Sequence, residues 1–366
     1  MNEVASTMQH VSTNIDPDID PDREGIEIRD LYKIFGPDAK RHIAAVKAGM
    51  GKDELNSKYS HVLGLQNINL SMPGGKITVI MGLSGSGKST LIRHINGLIE
   101  PTVGEVIYDG DDVCKMSPIE LRSFRRLKTA MVFQRFALLP HRTVLENTRY
   151  GLDIQGIAHS KSEPMAQHWI ERVGLKGYER HYPAQLSGGM QQRVGLARAL
   201  ANDADILLMD EAFSALDPLI RMDMQAILLE LQEELHKTIV FITHDLDEAL
   251  RLGDKIAILR DGALEQVGTG QDIVLGPANE YIASFVRDVN RGRVVQAATI
   301  ARPREEGEEL PSLSVPGQMV LEKVARKMTK ADTTVAHVVG RKGKSLGIVD
   351  LSTLLGSLVT PATAED

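Results

Sequence analysis

The chain has 366 residues, 42% hydrophobic and 25% charged, which is ordinary globular usage and excludes a fibrous or wholly disordered polypeptide. Forty-two Lys plus Arg against 49 Asp plus Glu leave a net charge of −7, so no broad basic surface and no nucleic acid partner are expected. The single cysteine, Cys114, cannot form an internal disulfide, which fits a reducing compartment.

Residues 1–25 are acidic, with Asp-Pro breaks and no positive start followed by an apolar stretch. They read as a disordered tail and not as a signal peptide. From Ile26 to about Val289, short apolar runs alternate with longer amphipathic stretches: Thr78–Met81 before Leu91–Leu98, Ile206–Met209 before Leu219–Leu235, and Ile239–Ile242 before Leu246–Leu252. That rhythm predicts an α/β fold. A polar insertion, residues 37–61, carries helix-like spacing at Ile43, Val46 and Met50 and offers no chemical role.

Residues 291–317 read as a linker, acidic and rich in proline from 302 onward. Beyond it, residues 318–366 predict a small β/α unit: apolar positions at 320, 321, 324 and 328, two strands at Val335–Val339 and Leu346–Val349, and a short helix from Leu351. The longest apolar runs fall far short of the roughly 18 to 20 residues needed to cross a bilayer.

Three motifs carry chemistry. Gly82-Leu83-Ser84-Gly85-Ser86-Gly87-Lys88-Ser89 follows an apolar strand and precedes a helix, the setting a phosphate loop requires. Its glycines let successive N–H groups point at phosphate oxygens; Lys88 reaches the β- and γ-phosphates, Ser89 binds Mg²⁺, and Thr90 continues the loop into the helix. Ile206-Leu-Leu-Met-Asp210-Glu211 is a buried-strand run ending in two carboxylates. Asp210 is placed to hold Mg²⁺ and Glu211 to polarise an attacking water. In Leu186-Ser187-Gly188-Gly189-Met-Gln-Gln-Arg193, Ser187 can cap a helix whose first N–H groups stay bare beside the glycines, a second anion site.

In this order, over residues 26–290, the motifs resemble the ATP-binding-cassette (ABC) nucleotide-binding domain, a P-loop NTPase fold with a helical subdomain. The resemblance implies that Phe35 stacks on adenine, with Tyr32 as the substitute. It further implies that Gln134 reaches Mg²⁺ and communicates with a permease, that Asp217 lies in the D-loop, and that His244 contacts the γ-phosphate. Met131-Val-Phe-Gln-Arg-Phe-Ala-Leu-Leu-Pro-His141 and Asp210-Glu-Ala-Phe-Ser-Ala-Leu-Asp-Pro-Leu-Ile-Arg221, with the insertion after Gly36, resemble the glycine betaine/proline betaine importer group. The tail then resembles one incomplete cystathionine-β-synthase-type (CBS) or dimerisation module.

What this likeness implies is an ATP hydrolase using ATP and Mg²⁺, a homodimer peripheral on the cytoplasmic face of the membrane. Its partners are an integral membrane permease and a periplasmic or lipid-anchored substrate-binding protein, and its cargo is a quaternary amine such as glycine betaine or choline. The alternatives are an importer ATPase for amino acids or another small solute and, more remotely, a soluble ABC ATPase outside transport.

Overall fold

The computed structural model describes residues 25–134, 137–305, 308–340 and 343–358, so the acidic segment expected as a tail lies outside them but for Gly25. The chain opens with β1 (Ile26–Phe35) and β2 (Val62–Met72), between which the insertion forms helices α1 (Ile43–Lys47) and α2 (Lys52–Tyr59). Next come β3 (Ile77–Met81), α3 (Lys88–Ile95), β4 (Val103–Tyr108), β5 (Asp111–Asp112), α4 (Pro118–Leu127) and β6 (Thr129–Phe133). Three successive helices follow, α5 (Val144–Gln155), α6 (His159–Arg172) and α7 (Gly188–Ala201), and form the helical subdomain. Alternation resumes with β7 (Ile206–Asp210), α8 (Pro218–Leu235), β8 (Thr238–Thr243), α9 (Leu246–Leu252), β9 (Lys255–Arg260) and β10 (Ala263–Gly268). Helices α10 (Gly270–Leu275) and α11 (Glu280–Val286) close this part.

Strand order in the main sheet is β10-β9-β3-β8-β7-β6, parallel except for β10. Every residue of β3, β7 and β8 is buried, because both faces of a parallel sheet are covered; this is why they read as unbroken apolar runs. One core lies against the helices, with Phe213 and Phe241 packed ring to ring 5.4 Å apart. The second lies against α3 and the antiparallel sheet β2-β1-β4-β5, through residues such as Ile28, Leu65, Ile80, Leu91 and Leu208. Since β8 runs between β3 and β7, with Met81 beside Thr243 and Asp210 beside Ile242, all three strands deliver their carboxyl ends to one edge.

The insertion is packed on its own small core, where Val46 and Leu55 bury against Tyr32, Ile34 and Leu63.

The expectation of a linker over 291–317 is corrected. That segment forms α12 (Arg291–Val294), α13 (Ala297–Ile300) and β11 (Ser314–Pro316), and Val295, Ala297 and Val315 enter a third core with Leu321, Val324 and Met328. With α14 (Leu321–Lys330), β12 (Val335–Val339), β13 (Ser345–Asp350) and α15 (Leu351–Leu358) they make one unit around a sheet ordered β11-β12-β13. Arg302 joins it by exchanging main-chain hydrogen bonds with Ile348 at 3.0 and 2.9 Å. The acidic, proline-rich composition belongs to a loop inside this unit; the apolar residues that anchor the segment lie on either side of it.

Candidate functional site

At the end of β3 the loop Gly82–Gly87 turns into α3. Gly87 has a φ of +104°, and a Cβ there would stand 2.8 Å from the Gly64 carbonyl oxygen, so only glycine allows this approach of loop to β2. The buried Lys88 ammonium donates to the carbonyl oxygens of Gly82 (2.8 Å) and Leu83 (3.0 Å). Burial pushes its pKa below the ordinary lysine value, and the Glu211 carboxylate opposes that shift. Ser89 Oγ donates to Asp210 Oδ1 at 2.8 Å. Burial raises the Asp210 carboxyl above the usual carboxylate value, and the Ser89 hydroxyl partly offsets the rise.

Glu211 is where the separate motifs meet. Its Oε1 lies 3.6 Å from Lys88 Nζ, while its Oε2 accepts from Gln134 Nε2 at 3.1 Å and lies 3.7 Å from His244 Nδ1. Backbone φ at Glu211 is +47°, a left-handed conformation uncommon for a residue with a side chain and characteristic of strained functional positions. Behind His244, Thr243 Oγ1 donates to the buried Glu248 (2.5 Å), which also accepts from Gln225 (3.0 Å); Thr243 Oγ1 in turn accepts from the Asp245 N–H (3.0 Å). These bonds fix the turn that carries the histidine.

A cavity of about 420 Å³ opens above the loop, lined by Ser84, Gly85 and Gly87–Thr90 together with Gln134 and Glu211. Its far wall is Phe35, 39% exposed, whose ring covers Gly64 so closely that a Cβ there would meet Cε2 at 2.7 Å. Tyr32, the substitute candidate, is 7% exposed and locked in the insertion core, which removes it from the cavity. Gly82, Leu83 and Ser86 shape the loop without lining the cavity.

The structure splits the predicted site in two. Ser187 caps α7, accepting from the Met190 N–H at 3.3 Å, with Gly188 and Gly189 in the first turn. A Cβ on Gly189 would lie 2.8 Å from Ile220, and the Ile220 N–H is capped by Asp217 Oδ1 at 3.1 Å. Ser187–Gly189 and the D-loop Asp217 therefore sit together, and none of the four lines the phosphate-loop cavity. Sequence reasoning missed Lys52 and Val62, which line the cavity, and Arg93, whose guanidinium is 3.9 Å from Asp210. The one available signal was that the insertion leaves and re-enters the fold beside Phe35.

A phosphate loop on β3, a carboxylate pair on β7, a histidine after β8 and a separate glycine-initiated helix define an ATP-hydrolysing cassette of the ABC class. Residues 65–214 match the family described as ABC transporter. The chain belongs to the ABC transporter ATP-binding proteins, in the group of the glycine betaine/proline betaine systems. It is 52% identical over 280 residues to the glycine betaine transport ATP-binding protein OpuAA of Bacillus subtilis, covering 76% of this chain and 67% of that one. Against the glycine betaine/proline betaine transport system ATP-binding protein ProV of Salmonella typhimurium it is 47% identical over 335 residues, 91% of this chain and 82% of the relative. Among solved structures, the bacterial ABC transporter cassette MJ0796, determined as a dimer, superposes with a TM-score of 0.58 at 34% identity, over 67% of this chain and 98% of its own. A post-hydrolysis state of that cassette holds ADP and Pi. No helix among the described residues is long and apolar enough to cross a membrane.

Proposed function

We propose that this chain is the ATPase subunit of a binding-protein-dependent importer of glycine betaine- and choline-type quaternary amines, seated on the cytoplasmic face beneath an integral membrane permease. The observation that carries the mechanism is the division of the site. Anion donors at Ser187–Gly189, at the start of α7, do not line the cavity that holds Lys88, so two copies closing head to tail bring one copy's α7 N-terminus onto the nucleotide of the other. Triphosphate charge is then shared between Lys88 and two helix N-termini, a stabilisation available only in the closed dimer.

In that dimer Phe35 stacks on the adenine and the loop N–H groups of Ser84–Ser89 cradle the phosphates. Glu211 accepts a proton from, or orients, the water for in-line attack, held in place by Gln134 and His244; His244 also donates to the departing phosphoryl oxygens. The hard oxygen donors Ser89 and Asp210, 2.8 Å apart beside Gln134, suit Mg²⁺. Bound there, Mg²⁺ would neutralise charge on the β- and γ-phosphates. Gln134, bonded to both Glu211 and Ser214, links hydrolysis to the permease. The C-terminal unit acts as an incomplete CBS-type or dimerisation module.

Cargo identity rests on the relatives, because an ATPase subunit does not touch cargo. Uptake of labelled glycine betaine, choline, carnitine and proline is measured in a strain lacking the subunit, complemented with the parent chain or with Lys88→Ala. The parent restores uptake of a quaternary amine and Lys88→Ala does not. Equal uptake of all four with and without the chain would remove the quaternary-amine assignment.

A further inference from the structure

The insertion between β1 and β2 has no part in the roles above, yet it is anchored and it reaches the nucleotide cavity. Both ring nitrogens of His61 stand 2.7 Å from carbonyl oxygens, those of Pro37 and Tyr59, so the imidazole ties the two ends of the insertion together. Helix α2 then starts at the cavity wall, and its first residue, Lys52, lines the wall alongside Phe35 and Gly64.

Lys88 is already engaged by two loop carbonyls, whereas the Lys52 ammonium makes no hydrogen bond among the described residues. Its nearest acid is Asp261, with Oδ1 3.9 Å away and the two side chains 40% and 68% exposed, a pairing of little worth in water. Asp261 precedes Gly262, whose N–H donates to the Ser86 carbonyl (3.0 Å) and whose carbonyl accepts from the Gln66 N–H (2.8 Å). Lys52 thus lines the same cavity as Phe35 and Lys88, next to the residue that precedes the seam between β2 and the glycine loop. A nucleotide with its base on Phe35 and its terminal phosphates at Lys88 would pass its α-phosphate through the cavity that Lys52 lines.

We propose that Lys52 is a nucleotide-binding residue whose ammonium pairs with the α-phosphate of ATP and ADP, which gives the insertion a function in nucleotide retention. This rests on the reading of the cavity as the ATP site. Because the α-phosphate is equally charged before and after hydrolysis, the contact strengthens ground state and transition state alike. It lowers KM and leaves kcat unchanged. A part-exposed pair of this kind is screened by salt.

The test uses the full chain and its Lys52→Met, Lys52→Arg and Lys88→Ala variants, with ATP and ADP binding measured by calorimetry and ATPase kinetics alongside. Lys52→Met is expected to weaken ATP and ADP together by roughly 2- to 5-fold, more at low salt, with kcat within about two-fold of the parent. Lys52→Arg keeps parental affinity, and unchanged thermal melting shows that the fold is intact. Parental affinity for both nucleotides in Lys52→Met, with binding lost in Lys88→Ala, overturns the inference and leaves the ATP site standing. Weakening of ATP alone also overturns it, since the contact would then lie at the γ-phosphate. A parent chain that binds neither nucleotide removes the ATP site itself, and this inference with it.

Discussion

His94, on the helix that follows the phosphate loop, gives the sharpest test of how the fold supports the site. Its ring is fully buried; Nδ1 donates to the Thr90 carbonyl at 2.7 Å, and Nε2 has no hydrogen-bond partner among the described residues. Burial, aided by the Lys33 charge and opposed by the Thr90 bond, pushes its pKa from 6.5 down to about 4. The folded state therefore holds a neutral imidazole that the unfolded chain protonates more readily. Stability is intact above pH 6.5 and falls as the pH drops from there through about 4. At 1.36 kcal/mol per unit, the loss from this residue is about 2 kcal/mol at pH 5 and approaches about 3 kcal/mol below pH 4. Urea denaturation followed by Trp169 fluorescence at pH 7.5 and pH 5 measures it, with His94→Gln as the comparison. Glutamine keeps a donor for Thr90 and removes the titration, so the variant is less stable than the parent at neutral pH but loses about 2 kcal/mol less on acidification. Other titrating groups are common to both proteins and cancel. Equal acid sensitivity of parent and variant, within about 0.5 kcal/mol, would refute the reasoning.

Glu211→Gln is expected to keep ATP binding, lower turnover by about 10²-fold or more and accumulate a closed dimer on gel filtration; near-parental hydrolysis would show that another group serves the water. Phe35→Ala removes a stacking face worth about 1 to 3 kcal/mol and should weaken ATP binding by roughly 5- to 150-fold in calorimetry, while Tyr32→Phe leaves it unchanged. Truncation after Asn290 should give a soluble chain with basal ATPase within about two-fold of the parent. Truncation after Arg302 strips Val295 and Ala297 of their core partners and should aggregate; solubility assays decide between the two cuts.

The motifs and the elements that present them were legible in the sequence wherever they depend on short contiguous runs. Gly82–Ser89, Ile206–Glu211 and Ser187–Gly189 each name both their residue types and the element that presents them, because phosphate binding at a helix start is a local property of backbone and spacing. The α/β class followed for the same reason, as apolar runs alternate with amphipathic ones. Two stretches misled or gave nothing. Composition made 291–317 a linker because prolines and acids dominate its loop, whereas Val295, Ala297 and Val315 are held by residues up to 59 positions away, as far as Leu354 from Val295. The insertion was silent because its polar helices bury only Val46 and Leu55.

By itself the sequence determined the inventory: a glycine-rich phosphate-loop motif, a strand ending in two carboxylates, a glycine-initiated helix and the cassette class to which they belong. Tertiary structure decided placement. Setting β8 between β3 and β7 brings Lys88, His244 and Gln134 onto one carboxylate, Glu211. Burial of Tyr32 leaves Phe35 as the aromatic at the cavity, and the anchored insertion brings Lys52 to the same wall. Strand order and side-chain burial arise from contacts between distant segments, and no local pattern of residues encodes them.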